Sequence, residues 1–225
     1  MLPSFHEHGY SIVPGVFTRS DLSFVSQELC KPQLKRSRAG ARHLMSLRSA
    51  SRLAQNAALI GIARGVLGAE ALPFHATLFD KSPDSNWLVP WHQDTALPLT
   101  AKAETAGWGP WSTKDGVVYA HAPAKALTQV LALRVHLDDA TDANGPLRVI
   151  PDTHLSGVLG DKEIEWHACE SSAVECTVEA GGVIAMHPLV IHASSKSRSE
   201  LPRRVLHIEY ATRLDLTAEL RLAIS

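Results

Sequence analysis

Cysteine is scarce in this chain. Cys30, Cys169 and Cys176 are three among 225 residues, an odd number with no metal-like CxxC spacing. That excludes a disulfide-built scaffold and a cysteine-zinc framework, and it matches a reducing, cytoplasmic setting. Long apolar runs are also missing: none approaches the ~18 residues that a membrane-spanning helix needs. The opening MLPSFHEHGYSIVPGVF has no basic stretch leading into an apolar one, so no secretory leader is expected. The third absence is an excess of charge. Lys and Arg number 22 against 23 Asp and Glu, a formal net charge of −1, which offers no electrostatic footing for nucleic acid or an anionic membrane.

What remains is the composition of a globular protein, 45% apolar and 20% charged, long enough to bury a core without staples. One domain over 1–225 is the expectation, and nothing in the chain bears on its oligomeric state. Residues 5–17 read as a short strand and turn ending in Pro14-Gly15. Ser20-Asp21 then reads as a cap and first turn of a helix carrying Leu22, Phe24, Val25 and Leu29, stopped by Pro32. A second helix spans about 51–67, with Gly68 as its C-cap. Residues 1–70 are thus a helical support.

From residue 70 the texture changes to short β-like segments: 74–79, 129–137, 147–150, 173–178, 183–186 and 205–210. Many short strands with turn signals between them, of which Asp142-Ala143-Asn144-Gly145-Pro146 is the clearest, predict a barrel or sandwich over 71–212. Between Thr95 and Ala126 lies a stretch rich in Gly, Pro and Trp, read as a long functional loop that acts as a lid. Trp108, Trp111 and Tyr119 carry too much apolar surface for it to be disordered.

Twelve histidines are present, and two of them stand out by their neighbours. In Pro90-Trp91-His92-Gln93-Asp94, His92 and Asp94 are two apart, so in an extended chain both side chains leave the same face. An imidazole and a carboxylate there make two thirds of a 2-His-1-carboxylate triad, which leaves open positions on one side of Fe(II). His192 is the best candidate for the third ligand, with His187 as its rival. Arg203 follows eleven residues after His192 at the head of a β-like run. Its guanidinium fork matches a carboxylate bidentately, which suits a dicarboxylate co-substrate.

Four blocks carry a family resemblance: WHQD at 91–94, LALRVHLDDATDANGPLRVIPDTH at 131–154, HPLVIHASS at 187–195 and PRRVLHIEY at 202–210. They are similar, in order and spacing, to the phytanoyl-CoA dioxygenase family of Fe(II)/2-oxoglutarate-dependent oxygenases. Asp152-Thr153 stands where Gly-Ser is usual, a departure confined to a turn. The resemblance implies a mainly β protein with flanking helices, a double-stranded β-helix (jelly roll, cupin-like barrel) with iron at its mouth. It implies His92, Asp94 and His192 as the metal ligands and Arg203, with Arg204 in reserve, on the distal carboxylate of 2-oxoglutarate. Ser194 would bond the same carboxylate, and Lys81 and Gln93 would lie near the co-substrate. A carboxylate at Asp94, where related halogenases carry a small residue, favours hydroxylation. The implied reaction uses O2 and a small-molecule substrate, and releases succinate and CO2.

Several other residues face competing readings. Trp108, Trp111 and Tyr119 either close over the iron or anchor their loop to the barrel flank. His121 is placed to reach substrate; Arg134, on the strand face opposite Leu133 and Val135, lines the pocket or meets solvent. His207 alternates with Leu206 and Ile208 and reads as a structural strand residue, and His154 as a turn residue. Two histidines and a carboxylate also suit a zinc hydrolase, but that reading gives Arg203 no role. A non-catalytic metal- or ligand-binding barrel is the other alternative. Acyl-CoA thioesters, amino acids and other metabolites all remain open as substrates.

Overall fold

A computed structural model describes residues 2–31, 34–37, 40–68, 70–83 and 85–225 of the chain. Helix α1 (Pro3–His8) precedes strand β1 (Tyr10–Val13), so a helical turn stands in front of the expected strand. In helix α2 (Arg19–Leu29) the cap is Thr18 rather than Ser20. The Thr18 hydroxyl accepts from the Asp21 amide at 3.2 Å, and the Asp21 carboxylate accepts from the Thr18 amide at 2.8 Å. Pro32, the expected stop, lies outside the described residues. The second expected helix is two, α3 (Arg48–Ala54) and α4 (Ala57–Leu67). Asn56 divides them: its backbone is extended and its side chain caps α4 by accepting from Ala58 N at 2.8 Å. Gly68 closes α4 at φ 100°.

The strands follow: β2 (Gly40–Ala41), β3 (Leu72–Lys81), β4 (Val89–His92), β5 (Ala96–Leu99), β6 (Trp111–Lys114) and β7 (Val117–His121). After a short helix α5 (Ala124–Leu127) come β8 (Val130–His136) and β9 (Leu147–Ile150), then α6 (Asp161–Glu170). β10 (Val174–Cys176), β11 (Val183–Met186), β12 (Ile191–Ser194) and β13 (Arg203–Ala211) complete the series. They form a six-stranded sheet in the order β1-β11-β8-β13-β3-β2 and a four-stranded sheet in the order β10-β9-β12-β4.

All the ladders are antiparallel, and the two larger sheets face each other. Strand β8 shows why. Leu131, Leu133 and Val135 pack with α2–α4 on the outer face, while Ala132 meets Leu147, Val149 and Cys176 of the opposite sheet. All seven residues of β8 are therefore buried, and apolar ones alternate with Arg134 and His136 on the inner face. Each of the large outer-face side chains contributes about 1.5–3 kcal/mol by leaving water. This is the jelly roll expected from the sequence, with the helical segment as its outer cover.

The segment at 95–126 is not the long lid loop expected. Strands β5, β7 and β6 make a third antiparallel sheet, in that order, on the barrel flank. Leu97, Leu99 and Ala120 bury against Leu220 and Leu222, with Trp108 and Trp111 packed on the same cluster. Leu222 bridges to Leu99, and the Ser225 amide donates to Phe74 O at 2.8 Å, so residues beyond 212 belong to the packed unit. The short alternating runs of β5–β7 are too weak in sequence to outweigh their Gly and Pro content, and only the pairing supplies the missing stability.

Candidate metal centre and co-substrate pocket

Strand pairing brings the first two groups together. In the β4–β12 ladder His92 lies opposite His192, and Asp94 is tied back by its amide to Pro188 O at 2.9 Å. The ligating atoms of His92, Asp94 and His192 all lie within 4.8 Å of one another. His92 Nε2 is 3.5 Å from one Asp94 oxygen and His192 Nε2 is 3.4 Å from the other. Each histidine uses Nδ1 on a backbone carbonyl two residues earlier, Pro90 O at 2.8 Å and Val190 O at 2.9 Å. Those carbonyls accept a hydrogen bond from Nδ1–H, which keeps the proton on Nδ1 and leaves both Nε2 atoms facing Asp94.

Burial opposes ionisation of Asp94, but His192 and His92 outweigh it and hold the carboxyl well below the usual carboxylate range. Burial pushes His192 down and favours the neutral imidazole. At His92 burial also works downward, but the hydrogen bond and charge of Asp94 leave it raised. An ionised carboxylate just past the end of β4, with two inward Nε2 atoms from β4 and β12, is a donor set that fits Fe(II) with one side left free. His187, the rival ligand, instead accepts from Leu189 N at Nδ1 and stacks near Phe5 and His154.

A cationic floor lies beside this triad. Ser194, two residues past His192, donates to Gly145 O at 2.9 Å and accepts from Lys81 Nζ at 2.7 Å and Arg203 Nη2 at 3.4 Å. Lys81 and Arg203 are neighbours across the β3–β13 ladder, 0% and 3% exposed, and neither has a carboxylate partner among the described residues. Lys81 also donates to Ser195 O. Gly145, at φ 66°, lets the 142–146 turn press on this spot, since a Cβ there would strike Ser195 O. Burial pushes Lys81 down to about 7 and Arg203 down to about 10.

Arg203 Nη1, Arg134 Nε and both ring nitrogens of His136 are buried without a hydrogen-bond partner among the described residues. Such orphaned donors are costly. Together with three buried cations they fit a dicarboxylate, the co-substrate 2-oxoglutarate among them, reaching from the triad to Arg203. Phe79, Trp87, Val89 and Leu147 line the same cavity with His92, Asp94 and Arg134.

Register settles which arginine is available. Arg203 projects into the barrel, whereas Arg204 faces outward and pairs with Asp138 through Nε and Nη2, both at 2.8 Å. Gln93 departs from expectation. As the odd residue of His-Gln-Asp it points away from the cavity, and its amide is spent on Gly157 O, Leu189 O and Leu159 N at 2.7–2.9 Å. It braces the loops behind the triad instead of meeting co-substrate. Of the two readings of Trp108 and Trp111, the flank anchor is the one seen: both pack on the cluster of the third sheet. His121 is exposed, with Nδ1 on Thr95 Oγ1 at 2.7 Å.

Arg134 does face the interior, donating from Nη1 to His207 Nδ1 at 3.1 Å and lying 5.1 Å from the Phe79 ring. Tyr119 is buried, its hydroxyl 3.5 Å from His75 Nε2. Sequence reasoning overlooked His75, His136 and Glu209, and left His207 facing either the barrel interior or solvent. The signal was a period of two: Arg203, Val205, His207 and Glu209 share one face of β13 while Leu206, Ile208 and Tyr210 pack outward.

The family model described as Phytanoyl-CoA dioxygenase (PhyH) matches residues 5–205. The chain belongs to this family. Among its relatives, L-proline trans-4-hydroxylase of Streptomyces griseoviridis is 28% identical over 186 residues, 71% of this chain and 62% of that protein. The iron/alpha-ketoglutarate-dependent dioxygenase ausU of Aspergillus calidoustus is 30% identical over 118 residues, 50% of this chain and 37% of that protein. The chain therefore spans less than two thirds of the length of either relative. Its fold is similar to that of EctD from S. alaskensis with 2-oxoglutarate and 5-hydroxyectoine, at TM-score 0.71 and 22% identity, covering 95% of this chain and 76% of that one. It is also similar to the non-heme alpha ketoglutarate dependent epimerase SnoN, at TM-score 0.69 and 19% identity, covering 98% and 83%.

Proposed function

We propose that this member of the phytanoyl-CoA dioxygenase family is a non-haem Fe(II)- and 2-oxoglutarate-dependent dioxygenase that hydroxylates an unactivated carbon of a small molecule. The observation that carries the reading is the His92–Asp94–His192 cluster beside a buried Arg203 whose Nη1 has no partner among the described residues. His92, Asp94 and His192 hold the metal in this account. Arg203, with Lys81 and Ser194, holds the far carboxylate of 2-oxoglutarate. With O2, this pair of groups supplies the chemistry: one oxygen atom goes into a substrate C–H bond, the other into succinate, and CO2 leaves.

The chain's own residues do the positioning. Asp94 stays ionised between two imidazoles, and the Pro90 and Val190 carbonyls fix the tautomer that aims each Nε2 inward. Arg203 and Lys81 bring positive charge to a water-poor floor, where a carboxylate is held more strongly than in water. Phe79, Trp87 and Leu147 exclude solvent from the same wall. No side chain is required as a general base, because the hydrogen removed leaves by the cofactor chemistry. The relatives' names refer to proline and ectoine chemistry, which supports a small metabolite over a macromolecule. Three free cysteines support a reducing cytoplasm. Among the described residues no helix is long and apolar enough to cross a membrane.

The test is anaerobic loading with Fe(II) and 2-oxoglutarate. Keto-acid chelation is expected to give a weak visible charge-transfer band, and O2 is then expected to give succinate. Folded, iron-loaded protein with no band and no succinate would overturn the reading.

A further inference from the structure

The register of the six-stranded sheet arranges its inward residues in rows. Lys81 pairs with Arg203, then Phe79 with Val205 and His136, then Thr77 with His207 and Arg134, then His75 with Glu209 and Ala132. Rows are two residues apart, so the Glu209 position lies about 20 Å along the strands from Lys81 and Arg203, with Arg134 one row away. The triad couples electrostatically to the ground between: Asp94 acts on Arg134 and His207, and also on Glu209. A dicarboxylate bound toward Arg203 therefore leaves the Glu209 end for the molecule to be oxidised.

Glu209 is 8% exposed and makes no hydrogen bond among the described residues. Its one close charge-capable neighbour among the described residues is His75 Nε2 at 4.0 Å. That ring cannot serve as a cation: burial pushes it down to about 3. Its nitrogens are engaged by Ser225 Oγ at 2.7 Å and Thr77 Oγ1 at 3.1 Å. Burial in turn pushes Glu209 up to about 8. A buried carboxyl without donors costs stability and does nothing for the fold, yet 11% of its side chain stays open to solvent.

The rim above has the opposite sign. Lys114 lies 4.6 Å from the Tyr119 ring, its charge felt by both Asp94 and Glu209. Arg42, exposed and in no ion pair among the described residues, acts on Lys114, His75 and Tyr119. His43 holds the β6–β7 hairpin over this end through Lys114 O at 3.1 Å.

We propose that Glu209 seats the protonated amine of a small amino-carboxylate substrate, whose carboxylate is met at the rim by Lys114 and Arg42. This deepens the oxygenase reading and rests on it. The pairing gives each buried or half-buried charge a partner and turns the substrate so that its carbon chain lies between the two poles, beside the triad. Glu209 is thereby a specificity-determining residue that the triad motif does not contain.

The experiment loads the full chain with Fe(II) and 2-oxoglutarate and records the charge-transfer band first. Free L-amino acids and ω-amino acids are then compared with their N-acetyl and amide counterparts by succinate release and product mass. At least one free amino acid should be used tenfold or more efficiently than either blocked form. E209Q should lose the preference for free amine over N-acetyl, and K114Q, at an exposed position, the preference for acid over amide. If the band forms but no amino acid raises succinate release, or blocked forms serve equally well, the substrate assignment is overturned and the oxygenase reading stands. Absence of the band overturns both.

Discussion

His192 stands opposite His92 across the β4–β12 ladder, with ring centroids 4.2 Å apart. Residues 100 positions apart are thereby brought onto one carboxylate, Asp94, and each ring is locked by the carbonyl two residues before it. The arrangement makes Asp94 the hinge of the cluster. Asp94→Ala leaves two imidazoles without the anion between them. Fe(II) affinity is expected to fall by more than about 100-fold, the upper end of what losing a mere outer partner costs. Anaerobic Fe(II) titration checks it, with circular dichroism to show that the variant is folded.

Arg203 and Arg204 are adjacent in sequence and opposite in consequence. Arg203→Ala removes the buried fork, a loss of about 2–5 kcal/mol for a desolvated charge pair, so the KM for 2-oxoglutarate should rise roughly 30-fold or more. Arg204→Ala should leave that KM near its original value and instead lower thermal stability by about 1–2 kcal/mol through the lost Asp138 bonds. Equal effects of the two variants on KM would contradict the strand register.

Lys81 ties co-substrate binding to pH. Burial and the nearby Arg203 and Arg134 push it down to about 7, below the ~10.4 of an unfolded lysine. Between those values the unfolded chain holds a proton that the folded one lacks. The destabilisation is therefore complete below about pH 7 and fades as pH rises toward ~10.4. Binding of a dianion needs the protonated amine, so the KM for 2-oxoglutarate should increase as pH climbs above about 7. Lys81→Met should raise that KM at neutral pH and flatten its pH profile. A wild-type KM that does not change between about pH 6.5 and 8.5 would contradict the assignment.

Gln93 tests bracing against contact. Gln93→Leu deletes three hydrogen bonds to Gly157, Leu159 and Leu189 and leaves their buried partners unsatisfied. A stability loss of about 1–3 kcal/mol is expected. Fe(II) affinity should drop more than 2-oxoglutarate affinity, because the braced loops adjoin His92 and Asp94. A selective rise in the KM for 2-oxoglutarate, with thermal stability unchanged, would return Gln93 to the co-substrate.

Two kinds of order were legible in the amino-acid sequence alone. Short-range geometry was the first: His92 and Asp94 two apart on an extended segment leave one face whatever surrounds them. Alternation was the second, and with the turn signals it marked β3, β8, β9, β10, β11 and β13 and hence a barrel or sandwich, which the family resemblance narrowed to a jelly roll. Weak or mixed patterns hid β4–β7 and β12, whose stability comes from pairing rather than from their own residues. The tertiary structure alone decided what depends on register between distant segments. It turned Arg203 inward and Arg204 out, spent Gln93 on the loops behind, and set Trp111 against the flank. It also put Glu209 beside His75, 134 positions away in the chain. The physical reason is the pleat: a one-residue change of register exchanges every inward side chain for an outward one, and no local pattern specifies the register between strands so far apart.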